Sequence, residues 1–312
     1  MKSIICTLVG LLMTSGVFAQ IIRENVVFKS GEHVLQGRVI LPSSDTDSIP
    51  MLVFTGGENA FESFRTDYRD FLQRNVEDVL LPQGYGMFYI DTRGIDYSEG
   101  KWQRASYEDR AEDIAEGLAY LRTRREIDPN RIAVFGHGEG AYIAQIVASK
   151  NPTWVKSVIA FAGSTLDTRQ QRISEYFIQY QCEGMDSTRS HRKARRKANS
   201  HQDWVKTFPV IKKWRQMRVI QDFNPDIYLQ ELIQPTLFLL PDNSRHLHPE
   251  WVIDKVEELY NGNVPDRLML NVIPGTNHNF QPVPSCFDGD LSAIGYSEQF
   301  QTQFRNWVIQ HL

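Results

Sequence analysis

Arg131-Ile132-Ala133-Val134-Phe135-Gly136-His137-Gly138-Glu139-Gly140 is the stretch that decides how this chain folds. Arg131 to Phe135 reads as a buried strand. The chain then turns through alternate glycines and enters a helix that runs to Ser149. So sharp a reversal from strand to helix leaves no room for side chains flanking the turn. Gly138, at its centre, is expected at positive φ, pushed out over the end of the sheet. Glycine accepts that conformation without the roughly 1–2 kcal/mol that other residues bear.

Working outward, strands and helices alternate. Glu24 to Lys29 and His33 to Leu41 read as a hairpin turned at Ser30-Gly31 and closed by Pro42. Met51 to Phe54 is a short buried strand entering Thr55-Gly56-Gly57. Asp67 to Leu81 reads as a helix and Met87 to Asp91 as another apolar strand. Tyr107 to Arg125 carries Ala111, Ile114, Ala115, Leu118 and Leu121 on one stripe at helical spacing. After Val155 to Phe161 the rhythm stops. Residues 165–234 are polar and strand-poor, and contain the basic cluster Arg189, Arg192, Lys193, Arg195, Arg196 and Lys197. The pattern resumes with a strand at Thr236 to Leu240, a helix at Pro249 to Tyr260, a strand at Arg267 to Ile273 and a helix ending near Trp307. This order predicts a three-layer α/β fold: a mostly parallel sheet with an N-terminal antiparallel hairpin and a helical cap inserted over it. Trp204, Phe208, Trp214 and Met217 are expected on the inner face of that cap.

Residues 1–19 are set apart. Lys2, the apolar run Ile4 to Met13 and Val17-Phe18-Ala19 have the layout of a secretory signal peptide cleaved before Gln20. Cys6 stands too early to follow a lipoprotein cleavage site. The single domain is then 20–312, secreted or periplasmic. The formal net charge of the 312-residue chain is -4, so no global pull toward nucleic acid or anionic membrane is expected. No later segment approaches the apolar length of a membrane span. After cleavage Cys182 and Cys286 remain. They either form one disulfide, tying the insertion to the loop after His278, or stay as two buried thiols.

The turn at 136–140 matches G-x-S-x-G, in which a strained serine is held over the sheet, except that the serine is Gly138. Phe71 to Gly163 resembles the secreted bacterial serine esterases and acyl-peptidase-like members of the α/β-hydrolase superfamily, the dienelactone hydrolase and serine aminopeptidase group. The resemblance is carried by Asp91-Thr92-Arg93-Gly94 at a strand end and by the helix leading to Glu126-Ile127-Asp128. It extends to Phe28-Lys29-Ser30-Gly31 with Leu35-Gln36-Gly37, and to Pro274-Gly275-Thr276-Asn277-His278. It implies that His278 is the general base position and that N–H groups at Gly57 and Glu139 form the oxyanion hole, with Thr55 where many relatives have histidine. It also implies that the acid position is Ser244, with Asp242 as a substitute acid of different reach.

Three readings follow. The first is a serine esterase or peptidase descendant without normal serine-hydrolase activity that binds an acyl or peptidyl ligand. The second is an active hydrolase in which His278 activates water held in the space beside Gly138. The third is an interaction protein with a closed, apolar cleft. Ser98 and Ser164 lack the glycine context of an elbow and read as polar loop residues, Asp91 and Arg93 as fixing their own turn, and His137 as packed inside the elbow. His246, His248 and His278 are weighed as a zinc set, but the carboxylate spacing of known metallohydrolases is absent, so no metal is expected. No dinucleotide fingerprint or phosphate-binding lysine loop occurs, and no cofactor is expected.

Overall fold

The computed structural model describes residues 21–42, 48–208 and 210–312; residues 1–19, read as a signal peptide, lie outside them. Eight strands form one sheet: β1 Ile22–Ser30, β2 His33–Leu41, β3 Ile49–Phe54, β4 Gly86–Ile90, β5 Ile127–His137, β6 Ser157–Phe161, β7 Thr236–Pro241 and β8 Leu268–Ile273. Their order is β1-β2-β4-β3-β5-β6-β7-β8. The β1–β2 and β2–β4 pairs are antiparallel, and the remainder are parallel.

Helices cover both faces because alternate strand residues point to opposite sides. Val53, Phe88, Val134 and Val158 pack against α1 (Tyr107–Leu121) and α2 (Glu139–Lys150). Their neighbours Leu52, Met87, Phe135 and Ile159 pack toward Phe71, Val76, Phe300 and Phe304 on the other face. α1 opens with a capping box between Ser106 and Asp109, which satisfies two orphan helix donors at once. The helix expected over Asp67 to Leu81 is broken instead into Arg69–Leu72, a π-wound turn Gln73–Glu77 and Asp78–Leu80. Asn75 explains the break: its side-chain amide donates to the Phe71 carbonyl, the acceptor an α-helical N–H would use.

Between β6 and β7 lie α3 (Thr168–Cys182), α4 (Ser187–Thr207), α5 (Lys212–Ile220) and α6 (Asp226–Glu231). α3 and α4 share a small core of Ile173, Phe177, Tyr180, Ala194 and Ala198. The expected inner-face aromatics are corrected here. Trp204 is 56% and Phe208 49% exposed, while Met217 is buried. The buried stripe of α4 runs instead through Ser190, Ala194, Ala198 and Val205, and Trp204 and Phe208, although four residues apart, lie off it. α7 (Pro249–Leu259) and α8 (Glu298–His311) complete the fold. No helix among the described residues is long and apolar enough to cross a membrane.

Cys182, at the end of α3, and Cys286, in the loop after His278, form a disulfide that closes 104 residues. Replacing both by serine is expected to lower stability by about 2–4 kcal/mol, because so long a loop then regains its freedom in the unfolded chain. Denaturant unfolding with and without reductant measures this.

Candidate active site

β5 delivers Gly138 to the end of the sheet at φ 54°, ψ -116°, where α2 begins. Gly140 lies so close to the Gly56 carbonyl that any Cβ there would overlap it. The loop after β3 is thereby pressed onto the turn. The Gly140 N–H donates to the Gly57 carbonyl (3.1 Å) and His137 N–H to that of Gly56 (3.1 Å). Thr55 adds a hydroxyl donated to the Gly140 carbonyl (2.7 Å).

That loop carries the residue sequence reasoning missed, Glu58. Its carboxyl reaches across Gly138, where a Cβ added to residue 138 would overlap Oε2. His278 comes from the opposite side, and its Nε2 lies 2.8 Å from Glu58 Oε2. Its Nδ1 lies 3.0 Å from Ser244 Oγ. Ser244 Oγ also accepts from the N–H groups of His246 and Leu247, both at 3.1 Å. Two amides occupy both hydroxyl lone pairs, so the remaining hydrogen of Ser244 points to Nδ1. The network therefore assigns the proton of neutral His278 to Nε2, and Nε2–H donates to Glu58. Burial, with His246 beside it, holds the His278 pKa well below the usual histidine value.

A second chain of bonds braces this arrangement. The Glu58 N–H donates to Tyr68 Oη (2.8 Å), whose hydroxyl faces His137 Nδ1 (2.9 Å). His137 Nε2 lies 2.9 Å from the His278 carbonyl, which only accepts. His137 thus carries its proton on Nε2 and takes the Tyr68 hydroxyl hydrogen on Nδ1. It is fully buried, as expected of it.

The other named residues fall as follows. Gly57 is covered by the Tyr68 ring, and the Glu139 amide opens α2, where the helix dipole favours negative charge. The Glu139 carboxyl pairs with buried Arg110 at 3.0 Å, and burial pushes its pKa up to about 7. Burial raises Glu58 further, to about 8. Asp242, the expected substitute acid, accepts the Thr276 N–H at 3.2 Å, while His278 Nδ1 meets Ser244. Asp91 and Arg93 bind at longer range than their own turn, Asp91 to Arg65 and Arg93 to Asp113, each through paired bonds. Ser98 donates to the Asp91 carbonyl (2.8 Å), and Ser164 accepts from Leu166 N–H (3.1 Å). Of the weighed zinc set, His248 stacks on Trp251 rather than turning to His278. Among the described residues, the groups whose ligand atoms converge are Glu58, His137 and His278, but both nitrogens of His137 are engaged by protein groups.

Under the cap lies a cavity of about 90 Å³. Glu58, Gly138 and His278 form its floor, and Tyr142, Arg172 and His201 stand among its walls. Charged Glu58, Arg172 and Glu175 share its lining with apolar Val205, Met217 and Ile220, so it is mixed rather than the wholly apolar cleft of the third reading. The space beside Gly138, expected to hold a water for His278, is occupied by the Glu58 carboxyl.

Residues 73–216 match the model of the prolyl oligopeptidase family (Peptidase S9), which covers less than half of the chain. A search of curated protein sequences returned no match. Among solved structures, the chain is similar to Est1E from Butyrivibrio proteoclasticus bound to ferulic acid. The TM-score is 0.63 and the identity 15%, over 92% of this chain and 98% of that one. It is also similar to an acetyl xylan esterase from Paenibacillus sp. R4, with a TM-score of 0.61 and 14% identity over 97% and 88%. The esterase Pf2001 of Pyrococcus furiosus gives a TM-score of 0.59 and 14% identity over 97% and 95%. The chain has the α/β-hydrolase fold.

Proposed function

We propose that this protein is an exported α/β-hydrolase-fold protein that binds an acyl or peptidyl ligand under its cap and does not form an acyl-enzyme at its elbow. The observation that carries the reading is the filling of the nucleophile's place. Gly138 offers no hydroxyl, and the Glu58 carboxyl occupies the volume a serine side chain would need. The rest of the site agrees. In a serine triad the histidine keeps its proton on Nδ1, facing the acid, and leaves Nε2 free to take the serine proton. Here Ser244 takes the acid position and the tautomer is reversed, so neither serine nor water activation by Nε2 is available in this arrangement. The N–H groups of Gly57 and Glu139 are the proposed remnant of the oxyanion hole. The signal-like residues 1–19 support export, and the disulfide suits an oxidising compartment.

A second reading is favoured by Glu58 itself. A carboxyl with a pKa near 8, hydrogen-bonded to His278 beside the oxyanion donors, is placed to draw a proton from water attacking an ester. One experiment separates the two. The protein is treated with a fluorophosphonate probe and assayed on p-nitrophenyl esters. No labelling is expected, with turnover at background. Labelling of the chain overturns both readings. Turnover of ordinary enzyme size without labelling, lost in Glu58→Gln, replaces the first reading with the second.

A further inference from the structure

The cap is electrically unlike the rest of the molecule. From Ser187 to Val219 the chain carries eleven lysines and arginines against one acid, Asp203, a local charge of +10. With the whole chain at -4, the remainder carries -14 (-4 minus +10). Among the described residues, the basic side chains of α4 make few ion pairs. Arg189 and Lys206 make only long, exposed pairs, with Asp186 at 3.9 Å and Asp222 at 3.8 Å. Lys193 and Lys197 lie over the rings of Tyr180 and Tyr176, and Lys197 Nζ also donates to Gln179 Oε1 at 3.3 Å.

Large apolar side chains gather where α4 gives way to α5. Trp204 is 56% exposed, Phe208 49%, Val210 67% and Ile211 50%, and the first two rings lie 5.3 Å apart. Lys206, Lys212 and Lys213 stand among them, all exposed. Singly exposed apolar residues need no explanation; four within eight positions, ringed by lysines, form a patch. The same two helices also wall the cavity, since Val205 and Met217 line it while Trp204 and Phe208 turn outward.

We propose that this corner of the cap docks onto the surface of an anionic lipid bilayer, with Trp204, Phe208, Val210 and Ile211 entering the headgroup region and the flanking lysines and arginines facing lipid phosphates. Charge complementarity selects an anionic partner. The aromatic and aliphatic tips select a bilayer over a soluble polyanion, because only the bilayer offers them an apolar phase. Docking this way needs no spanning helix, and it sets the wall of the cavity against the source of any acyl ligand.

The test is co-sedimentation of the purified protein with vesicles of phosphatidylglycerol and phosphatidylcholine, against pure phosphatidylcholine, at low and high salt. The expected result is binding to the anionic vesicles alone, weakened by salt. Trp204→Ser/Phe208→Ser and Lys212→Glu/Lys213→Glu are each expected to lower the partition coefficient about tenfold or more. Circular dichroism and the unfolding temperature of each variant, expected to match the parent, separate this from misfolding. Failure to sediment with anionic vesicles overturns the proposal. So does undiminished binding by folded Trp204→Ser/Phe208→Ser. Full competition by dextran sulfate that persists in that variant reassigns the surface to polyanions and overturns it equally.

Discussion

Gly138→Ser alone is expected to leave p-nitrophenyl acetate hydrolysis within a few-fold of the parent. Two obstacles survive the substitution. The new Cβ and hydroxyl meet Glu58 Oε2, and the residue must hold φ near 54° at a cost of roughly 1–2 kcal/mol. His278 also still carries its proton on the wrong nitrogen, and a serine triad with a wrong-tautomer histidine loses about 10⁴ in turnover. Ser244→Asp removes the second obstacle. The amides of His246 and Leu247 already point at the side chain of residue 244, so they would hold a carboxylate with charge-assisted bonds. That carboxylate would draw the His278 proton to Nδ1 and free Nε2. Gly138→Ser/Glu58→Ala/Ser244→Asp is therefore expected to gain at least about 10²-fold over the single variant, lost again on adding His278→Ala. A single Gly138→Ser variant with turnover as high as the triple would show that Glu58 and the reversed tautomer are no obstacle.

Glu58→Gln is expected to stabilise the protein, and more so as pH rises. The folded state raises the Glu58 pKa from 4.5 to about 8, chiefly by burial. Below the unfolded value both states are protonated and the fold bears no penalty. Between about pH 4.5 and 8 the unfolded chain releases a proton that the folded chain retains, so parent stability falls through that window. Glu139, raised to about 7 by burial, adds to the fall over a narrower range and is present in both proteins. Glutamine mimics the protonated acid, and its carbonyl still accepts the His278 Nε2–H. The variant should match the parent near pH 5. Near pH 9 it should exceed it by on the order of 2–4 kcal/mol, or roughly 5–10 °C in unfolding temperature. A gap between the two proteins that does not change with pH would contradict a buried, proton-retaining Glu58.

The sheet and its layers were legible because they depend on local pattern. Strand and helix periods, the glycines at 136–140 and the capping residues all act within a few positions. The broken helix at 69–80 was not legible, since an Asn75 side chain competing for a backbone carbonyl leaves no periodic trace. Trp204 and Phe208 read as inward-facing because aromatics at near-helical spacing usually mark a core, whereas α4 buries its small residues instead.

By itself the sequence determined the α/β order, the glycine at the centre of the 136–140 turn and the position of His278 after Pro274-Gly275, each set by residue type within a short motif. Only the tertiary structure decided what stands over Gly138. Glu58 and His278 are 220 residues apart and meet at 2.8 Å. The protonation of His278 likewise depends on Ser244, 34 residues away, and on two backbone amides in the loop of Ser244. Hydrogen-bond partners chosen by the packing of separate loops have no fixed spacing along the chain, and so no motif records them.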